Sequence, residues 1–528
     1  MAGATGQDPA VGMMFTYQSR LRLDEAQDEI LRAYAALHGR VERDLFAHLE
    51  AGGRASHLKP SMMARDGITA RQYNAVAIGV RGKTASIKER RRGLIKEFQS
   101  RIAKARQVAK KLEKQEPGSA RLHEKKRRLA NLVARLRAMQ ADHEQGVVRL
   151  CFGSRKLFRA QFHLEANGYQ SLEEWRQEWR EARSSQFLVI GSKDEHGGCQ
   201  GCVATVKEDG SLSLRLRLPD ALGVKHLKLE GVRFAYGQER ILASLSAGVA
   251  ISYRFKRDHK SWRVLASTTT TTSRQISDRQ LGAIGVDINS DHLAVAGVDR
   301  FGNLVEIRHV ECLTDGKASE QTKAQAGEAA KVIAEMAVKQ GKPVVIERLD
   351  FSRKKAEMEG IEKRAARHLS SFAYSQVSKM IHSACFKRGV EVIEINPAFT
   401  SVIGAVNHAQ KLGISIHQGA AVAIARRGMG LSESPAVRMA TVPMRNGDHV
   451  TLSLPARNRG KHVWSFWSAT KTRLKAARKA QDRSRAASLA PLPPKKQALS
   501  ATRSLPAEPR HVNRWHNGSA NVMEDLLL

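Results

Sequence analysis

Hydrophobic positions change their spacing several times along this chain, and each change predicts a different kind of element. Residues 12–23 (GMMFTYQSRLRL) indicate one strand, and residues 25–50 switch to helical spacing. A second helical pair is predicted over about 83–142, with a turn at Glu116–Pro117–Gly118. The apolar stripes of these helices are Ile30, Tyr34, Leu37, Val41 and Leu45, then Ile87, Leu94, Ile95, Phe98 and Ile102, then Leu122, Leu129, Leu132 and Leu136.

From about Phe187 the hydrophobic period becomes two, which is typical of strands. Apolar residues alternate with polar or basic ones in SLSLRLRL (211–218), HLKLEGVRFAYG (226–237) and AISYRFKRD (250–258). The pattern predicts a small antiparallel barrel or sheet with a basic outer face. The Thr-rich run at 268–272 is typical of a strand end that passes into a linker.

Residues 281–428 alternate strands with helices. Residues 282–299 (GAIGVDINSDHLAVAGVD) predict a strand that ends at Asp287, a tight turn and a second strand, and a third strand follows from Asn303. A fourth apolar run ends at Glu347 and a fifth strand lies within GVEVIEINP (389–397), while helices are predicted at 322–339, 365–388 and 415–427. Beyond these, HVTLSLPAR predicts a strand and VWSFWSATKTRLKAARKA an amphipathic helix, and the Ala-, Pro-, Ser- and Lys-rich residues 484–512 are expected to be disordered.

Charge changes this picture, because 528 residues carry a formal net charge of +36 and a pI of about 10.4. A polyanion is therefore the expected partner, with a membrane surface as the rival. The chain lacks the run of ~18 apolar residues that a membrane-spanning helix needs. Its N-terminus shows no signal peptide. Five cysteines do not suggest a disulfide scaffold, so we expect a reducing, cytoplasmic setting.

Two acidic residues end buried strands, Asp287 and Glu347. A carboxylate in such a place is costly unless it is paired or holds a cation, and two on neighbouring strands can share divalent metals for phosphodiester hydrolysis. For either acid alone, satisfaction by backbone amides is the simpler interpretation. Asp291 and Asp350, just beyond them, are more typical of turn or loop residues.

Basic residues crowd the polar faces of the long helices. Since so many like charges repel one another, a phosphate backbone along them is favoured over a solvated hairpin. The candidate nucleic-acid contacts are Arg90, Arg91, Arg92, Lys125, Lys126, Arg127, Arg128, Arg426 and Arg427. The few aromatics near basic residues could stack on bases, although core packing is the commoner fate; they are Tyr17, Tyr73, Phe372 and Tyr374.

Taken in order, these motifs resemble the RuvC nuclease domain of the transposon-encoded TnpB nucleases and the related type V CRISPR effectors. GVDINSDHLAV resembles the first RuvC motif, VVIERLDF the second, and EINPAFTS with HQGAAVAIARRG the third. The resemblance covers residues 12–430. It implies a multidomain α+β protein: an RNase H-like (RuvC) α/β nuclease domain, with an N-terminal β-barrel-like wedge domain that a helical recognition domain interrupts.

The implied boundaries follow the changes in hydrophobic spacing. The first wedge strand would occupy 1–24, the helical recognition domain 25–185, and the rest of the wedge 186–275. The nuclease domain would occupy 281–430, and a C-terminal extension, partly disordered, 431–528.

The chain departs from the family twice. The third motif usually reads Asp-x-Asn-Ala-Ala, but His417 stands in the register of that Asp. Imidazole brings no negative charge and suits Mn²⁺ better than Mg²⁺, and it cannot bind a metal when protonated. His417 could instead be a helix residue packed near the sheet, in which case Asp350 could compensate. The family's zinc ribbon is also missing, since no cysteine lies between Ser401 and His417.

The resemblance implies an RNA-guided DNA-targeting effector. It would bind a guide RNA and target double-stranded DNA, recognise a short target-adjacent motif, and cut DNA at a two-metal site. The implied ligands of Mg²⁺ or Mn²⁺ are Asp287, Glu347 and His417. Two alternatives stay open: an RNA-guided binding protein that blocks transcription without cutting, and a DNA transposase of the same fold.

Two weaker motifs are set aside. Cys199 and Cys202 form a lone Cys-x-x-Cys to which His196 could add a ligand, but a turn with two small apolar residues is the favoured interpretation. Gly82–Lys83–Thr84 is no phosphate-binding loop, because Ala77 stands where such a loop needs its first glycine.

Overall fold

A computed structural model describes residues 12–192, 195–258, 261–270, 275–289, 291–313, 317–348, 371–434, 438–444 and 447–489. The chain divides into two compact units, Met1–Arg473 and Leu474–Leu528. Within the described ranges, no helix is both long and apolar enough to cross a membrane.

The N-terminal part is one strand followed by six helices. Strand β1 (Met13–Arg20) precedes α1 (Glu25–Glu50), α2 (Ala55–Asp66), α3 (Ala70–Gln115), α4 (Ala120–Glu144), α5 (Arg155–Ala160) and α6 (Leu172–Arg183). Helix α3 begins well before the predicted residue 83. Its start is fixed by a capping box in which Thr69 and Gln72 bond to each other's backbone amides. Its first turns bury Tyr73, Val76 and Val80 against α1. These residues precede the predicted apolar stripe, which begins at Ile87.

The predicted hairpin of long helices is confirmed. The chain turns between Gln115 and Ala120, and Ser119 caps α4 by accepting a hydrogen bond from the Leu122 amide at 3.1 Å. Phe98 and Ile102 of α3 pack against Leu132 of α4. Burial of this narrow stripe leaves the remaining faces of both helices to their basic residues.

The period-two region forms two antiparallel sheets instead of a single barrel or sheet. Its elements are β2 (Gln186–Val189), β3 (Cys202–Val206), β4 (Leu212–Arg217), β5 (His226–Val232), α7 (Gln238–Ser246), β6 (Ile251–Arg257) and β7 (Trp262–Thr270). One sheet has the order β1-β7-β6-β2 and the other β3-β4-β5. Alternate residues of both sheets contribute to one core, while Arg215, Arg254 and Lys256 point outward, so the basic outer face is confirmed.

The α/β region has the predicted order of elements. It contains β8 (Ala283–Ile288), β9 (His292–Val298), β10 (Leu304–Glu311), α8 (Ser319–Gln340), β11 (Val344–Glu347), α9 (Ser371–Lys387) and β12 (Val392–Ile395). Helix α10 begins as Thr400–Ile403, continues as a π-helical segment Gly404–Ala409 and ends with Gln410–Leu412; α11 spans Ile416–Gly428. The strand order is β10-β9-β8-β11-β12. Strands β8 to β10 are antiparallel, and β11 runs parallel to β8 and β12.

Helices cover both faces of this sheet. Helices α8 and α9 pack on the face that carries Ile284, Val286 and Ile346, and α11 packs on the face that carries Ala283 and Val345. Gly285 lets α11 approach closely, because a Cβ there would lie 2.0 Å from the Ala421 carbonyl oxygen.

The C-terminal extension begins with a hairpin of β13 (Met439–Pro443) and β14 (His449–Ser453), followed by α12 (Val463–Leu489). Phe466 and Trp467 of α12 pack against Val402 and Ile403 of α10. The expectation of disorder from residue 484 is wrong for 484–489, which continue α12 through a run of good helix formers. Residues 490–512 lie outside the described ranges.

Candidate functional site

The register of two parallel strands brings Asp287 and Glu347 to the same edge of the sheet. Strand β11 pairs with β8 from Val344 opposite Ile284 to Ile346 opposite Val286. One residue further, Glu347 stands level with Asp287 on the neighbouring strand, at the usual strand separation of about 4.8 Å. The two acids are 60 residues apart in sequence, and only the pairing of their strands brings them together.

Strand alternation then directs both acids toward α11. Val286 and Ile346, the residues before them, face α8 and α9, so Asp287 and Glu347 face the opposite side. Asp287 is 8% exposed and Glu347 is partly buried. An isolated carboxylate this deeply buried needs a partner.

His417 supplies that partner. Ser415 caps α11 by accepting a hydrogen bond from the Gln418 amide, which places His417 in the first turn. The His417 Nδ1 atom lies 3.1 Å from Asp287 Oδ2. Asn289 Nδ2 donates to the same oxygen at 3.1 Å. For a neutral imidazole that donates through Nδ1, the Nε2 lone pair remains for a cation.

Two further histidines surround this pair and were not recognised from the sequence. The His292 ring stacks on the His309 ring with centroids 4.4 Å apart and meets the His417 ring edge-on at 5.2 Å. The His292 Nδ1 atom lies 3.0 Å from Asp291 Oδ1. Partial burial acts to raise the pKa of Asp291, but the hydrogen bond and charge of His292 outweigh it, and the pKa is lowered. The only available sequence signal was that His292 and His309 lie on the strands that follow Asp287.

Glu347 is held by a hydroxyl rather than by an imidazole. Thr400 is 1% exposed, and its Oγ1 donates to Glu347 Oε1. The preceding residue, Phe399, has a φ of 64°, and it is the one non-glycine with positive φ in the described part of the chain. This backbone conformation is unfavourable for an aromatic residue, so its surroundings must hold it in place. Packing of Phe399 against Trp464 of α12, with centroids 6.4 Å apart, is one such contact.

Other groups near the acids shape their electrostatics. Burial, and then the negative charges of Asp287 and Asp291, raise the pKa of Tyr374. Burial lowers the pKa of Arg427, an effect that the negative charge of Glu347 opposes. The site thus has a cationic side chain near Glu347 and a phenol near Asp287.

The donor set fits a hard divalent cation in chemistry, with two carboxylates and one imidazole. In the arrangement described, however, no group of three His, Cys, Asp or Glu side chains in the described ranges is placed to hold a metal ion. His417 bonds to Asp287 directly. The three-ligand metal site therefore stays a prediction, and Asp350 lies outside the described residues.

The predicted phosphate contacts separate into two groups. Arg90, Arg92, Lys126, Arg127 and Arg128 are exposed on α3 and α4, and Lys125 is partly exposed.

Three other arginines bond to groups within the protein. Arg91 is removed from the predicted set because it is buried, and contacts of Arg426 and Arg427 with nucleic acid stay a prediction. Arg91 is 8% exposed and donates to the Asp142 carbonyl oxygen at 2.6 Å. Arg426 donates to Glu433 at 2.6 Å and Arg427 to the Ala398 carbonyl oxygen at 2.9 Å.

The cysteine pair and two of the candidate stacking aromatics are core residues. Cys199 and Cys202 are fully buried core residues, and burial raises the pKa of both thiols, which disfavours the thiolates that zinc requires. Tyr17 and Tyr73 are buried, and Tyr73 donates to the Ala55 carbonyl oxygen at 2.6 Å. The side chains of His196 and Phe372 lie outside the described residues.

No family model matches this chain, and no curated protein matches it. Similar solved structures include a Cas12f1 protein in complex with sgRNA and target DNA (TM-score 0.33, 10% identity, 78% of this chain and 99% of that chain). They also include a CRISPR-Cas12f ternary complex (TM-score 0.20, 10% identity, 80% and 100%) and T. thermophilus RuvC with a Holliday junction substrate (TM-score 0.21, 16% identity, 29% and 98%).

Proposed function

We propose that this chain is an RNA-guided DNA-targeting effector that hydrolyses DNA phosphodiesters at an RNase H-like sheet edge. One observation carries the hydrolytic part. Asp287 and Glu347 are level on neighbouring parallel strands and face the same helix, whose first turn brings His417 within 3.1 Å of Asp287. The guide RNA and the target-adjacent motif come from the family that the motifs resemble.

The chain's own residues would hold and orient a metal centre. Asp287, Glu347 and His417 would be the ligands of Mg²⁺ or Mn²⁺. Such ions, when bound, activate water and stabilise the charge that develops on a phosphodiester. Asn289 fixes the orientation of the Asp287 carboxylate through its 3.1 Å hydrogen bond, and Thr400 does the same for Glu347. Second partners of this kind keep ligands in productive orientations.

The basic helices would hold the nucleic acids. Arg90, Arg92 and Arg127 are exposed on a hairpin whose apolar stripe is already buried within it. Their charge suits the regular phosphate spacing of an RNA or an RNA–DNA duplex, which a protein reads by shape while base pairing supplies the sequence.

The test compares Asp287→Ala and Glu347→Ala with wild type and with Asp291→Ala as a matched control. Asp291 is a neighbouring acid whose side chain is 64% exposed. We expect the first two variants to lose plasmid cleavage and to keep guided DNA binding in a gel-shift assay. The control variant should retain both activities. A fully active Glu347→Ala variant would show that the site is placed wrongly.

A second candidate function is guided binding without cleavage, and the imidazole at position 417 favours it. His417 stands where the family's third motif has an aspartate, so this position brings no negative charge to a site that would have to hold divalent cations. Plasmid cleavage in Mn²⁺ separates the two candidates: cutting that depends on Asp287 supports the nuclease. Persistent guided binding without cutting in Mg²⁺ or Mn²⁺ supports the binding protein.

A further inference from the structure

An exposed patch on α5 and the turn that follows it combines aromatic and basic side chains. Phe158 is 44% exposed and Phe162 is 67% exposed. Arg155, Phe158, Arg159 and Phe162 are spaced i, i+3, i+4 and i+7, and the turn after α5 continues through a 3.1 Å bond from the Phe162 amide to the Arg159 carbonyl oxygen. Residues at this spacing share one side of a helix. We refer to these four residues as the α5 platform.

The rings of the platform are held in place from below. Phe158 contacts Phe162 edge-on, with centroids 6.2 Å apart, and packs on Trp179 at 5.6 Å. Trp179 in turn stacks at 5.8 Å on Trp175, which is 5% exposed and donates through Nε1 to the Leu157 carbonyl oxygen at 2.7 Å. A preorganised aromatic surface loses little entropy when a ligand binds, whereas exposed phenylalanines that serve no contact are an aggregation risk.

The charge around the platform is positive. Residues 145–164 contain four Lys or Arg and no Asp or Glu. Glu165 is the first acid that follows in the sequence, and two acids of α6 have partners of their own. Glu173 pairs with Arg180 at 2.5 Å, and Glu178 accepts a hydrogen bond from the Tyr169 hydroxyl at 2.6 Å. Arg183 also lies over the Trp179 ring at 5.2 Å, which adds a further cation to the aromatic cluster.

We propose that the α5 platform is a stacking site for unpaired nucleotides of a single-stranded nucleic acid. Bases would stack on Phe158 and Phe162 while Arg155 and Arg159 contact the flanking phosphates, since exposed aromatics alternating with cations are suited to this ligand. A second copy of this chain fits less well, because its own platform would bring like charges together. The inference rests on the proposed function only in requiring a nucleic-acid partner.

The experiment uses the full chain freed of bound RNA by RNase and high salt. Fluorescence anisotropy measures its affinity for single-stranded DNA, single-stranded RNA and an abasic strand, all of equal length. The variants are Phe158→Ala/Phe162→Ala, the same pair changed to Leu, and the pair changed to Tyr. Phe301→Ala is the matched control, because Phe301 is 64% exposed and lies under Arg300 at 4.7 Å, but outside the platform.

Base stacking on an aromatic side chain contributes enough that the Ala pair should lose about fivefold or more in affinity for strands with bases. The Leu pair should lose as much, the Tyr pair should keep wild-type affinity, and no variant should bind the abasic strand differently. The DNA and RNA measurements identify the bound strand. A larger loss of affinity for single-stranded DNA would assign the platform to the displaced DNA strand, and a larger loss for single-stranded RNA would assign it to the RNA.

Equal affinities for wild type and the Ala pair would overturn the inference. Wild-type affinity of the Leu pair would overturn it as well. A wild-type dimer that dissociates in the Ala pair would assign the platform to a second copy instead. Failure of the proposed function would give a different result, because a chain that is not a nucleic-acid-binding protein would bind none of the three strands. If RNA still co-purifies while the platform variants behave as wild type, only the platform inference is lost.

Discussion

Replacing His417 with aspartate would place a second carboxylate beside Asp287, in the first turn of α11. In the wild type, the His417 Nδ1 atom lies 3.1 Å from Asp287 Oδ2, and the two side chains are 36% and 11% exposed. Without metal the two acids would repel each other. With a divalent cation between them, the new negative charge becomes a favourable ligand.

The size of the effect follows from Coulomb's law. A carboxylate about 4 Å from a divalent cation interacts with it by about 8 kcal/mol at an effective dielectric constant of about 20, and ionising it beside Asp287 costs about 4 kcal/mol, which leaves about 4 kcal/mol. Because the His417 side chain is 36% exposed, solvent screening reduces this by roughly half. About 2 kcal/mol corresponds to roughly 30-fold in a dissociation constant. We therefore expect His417→Asp to bind Mg²⁺ about 30-fold more tightly than wild type.

The assay titrates Mg²⁺ and Mn²⁺ against thermal unfolding and against plasmid cleavage. His417→Asp should unfold at a lower temperature than wild type without metal, recover on addition of Mg²⁺, and show increased Mg²⁺-dependent cleavage. His417→Ala should lose Mn²⁺-dependent cleavage.

The matched control is His309→Asp, which adds the same charge to the histidine cluster but on the ring stacked behind His292. If His309→Asp strengthens Mg²⁺ binding as much as His417→Asp does, any added negative charge nearby has this effect, and His417 is not a ligand. If His417→Ala cuts as well as wild type, the reasoning is refuted directly, and Asp350 becomes the next candidate.

Three further predictions concern residues around the site and on the helices. Thr400→Val removes the hydroxyl that bonds to Glu347 and should weaken Mn²⁺ binding about tenfold by calorimetry, while Thr400→Ser should restore it; unchanged binding would contradict a positioning role. Burial, aided by Lys83, lowers the pKa of His38 to about 3, and both ring nitrogens are buried without partners. At pH ~5 the unfolded chain binds a proton at His38, and the folded chain does not. The free energy of unfolding should therefore have its full value above pH ~6.5 and be lower by about 2 kcal/mol at pH ~5. Chemical denaturation should show a weaker pH dependence for His38→Leu. Reversing the charge of Arg90 and Arg127 together should lower the slope of log affinity for RNA against log salt by about two, and an unchanged slope would place the RNA elsewhere.

Much of the architecture could be predicted because it depends on local pattern. The strand at 283–288 and the helix at 416–428 each have an apolar periodicity that only one kind of element can bury. In the structure, the capping pair Ser415–Gln418 fixes the start of this helix at Ile416, one residue after the predicted start. The acids at strand ends were recognisable for the same reason, since Asp287 and Glu347 each interrupt an otherwise apolar run.

The predictions that failed depend on which neighbour a side chain meets. Arg91 has the same charge as Arg90 and Arg92, yet its helical position turns it toward α4, where the Asp142 carbonyl accepts its hydrogen bond. The period-two strands gave no sign of two sheets, because alternation reveals which face is buried but not which strand pairs with which.

The sequence by itself determined the element types, the basic faces and the presence of two acids and an imidazole at the ends of their elements. Only the tertiary structure decided their relations. His417 and Asp287 are 130 residues apart, and Thr400 and Glu347 are 53 apart. Contacts over such separations follow from strand pairing and from the close approach of α11 over Gly285. Hydrogen bonds act over about 3 Å, so they are decided by packing that local patterns do not encode.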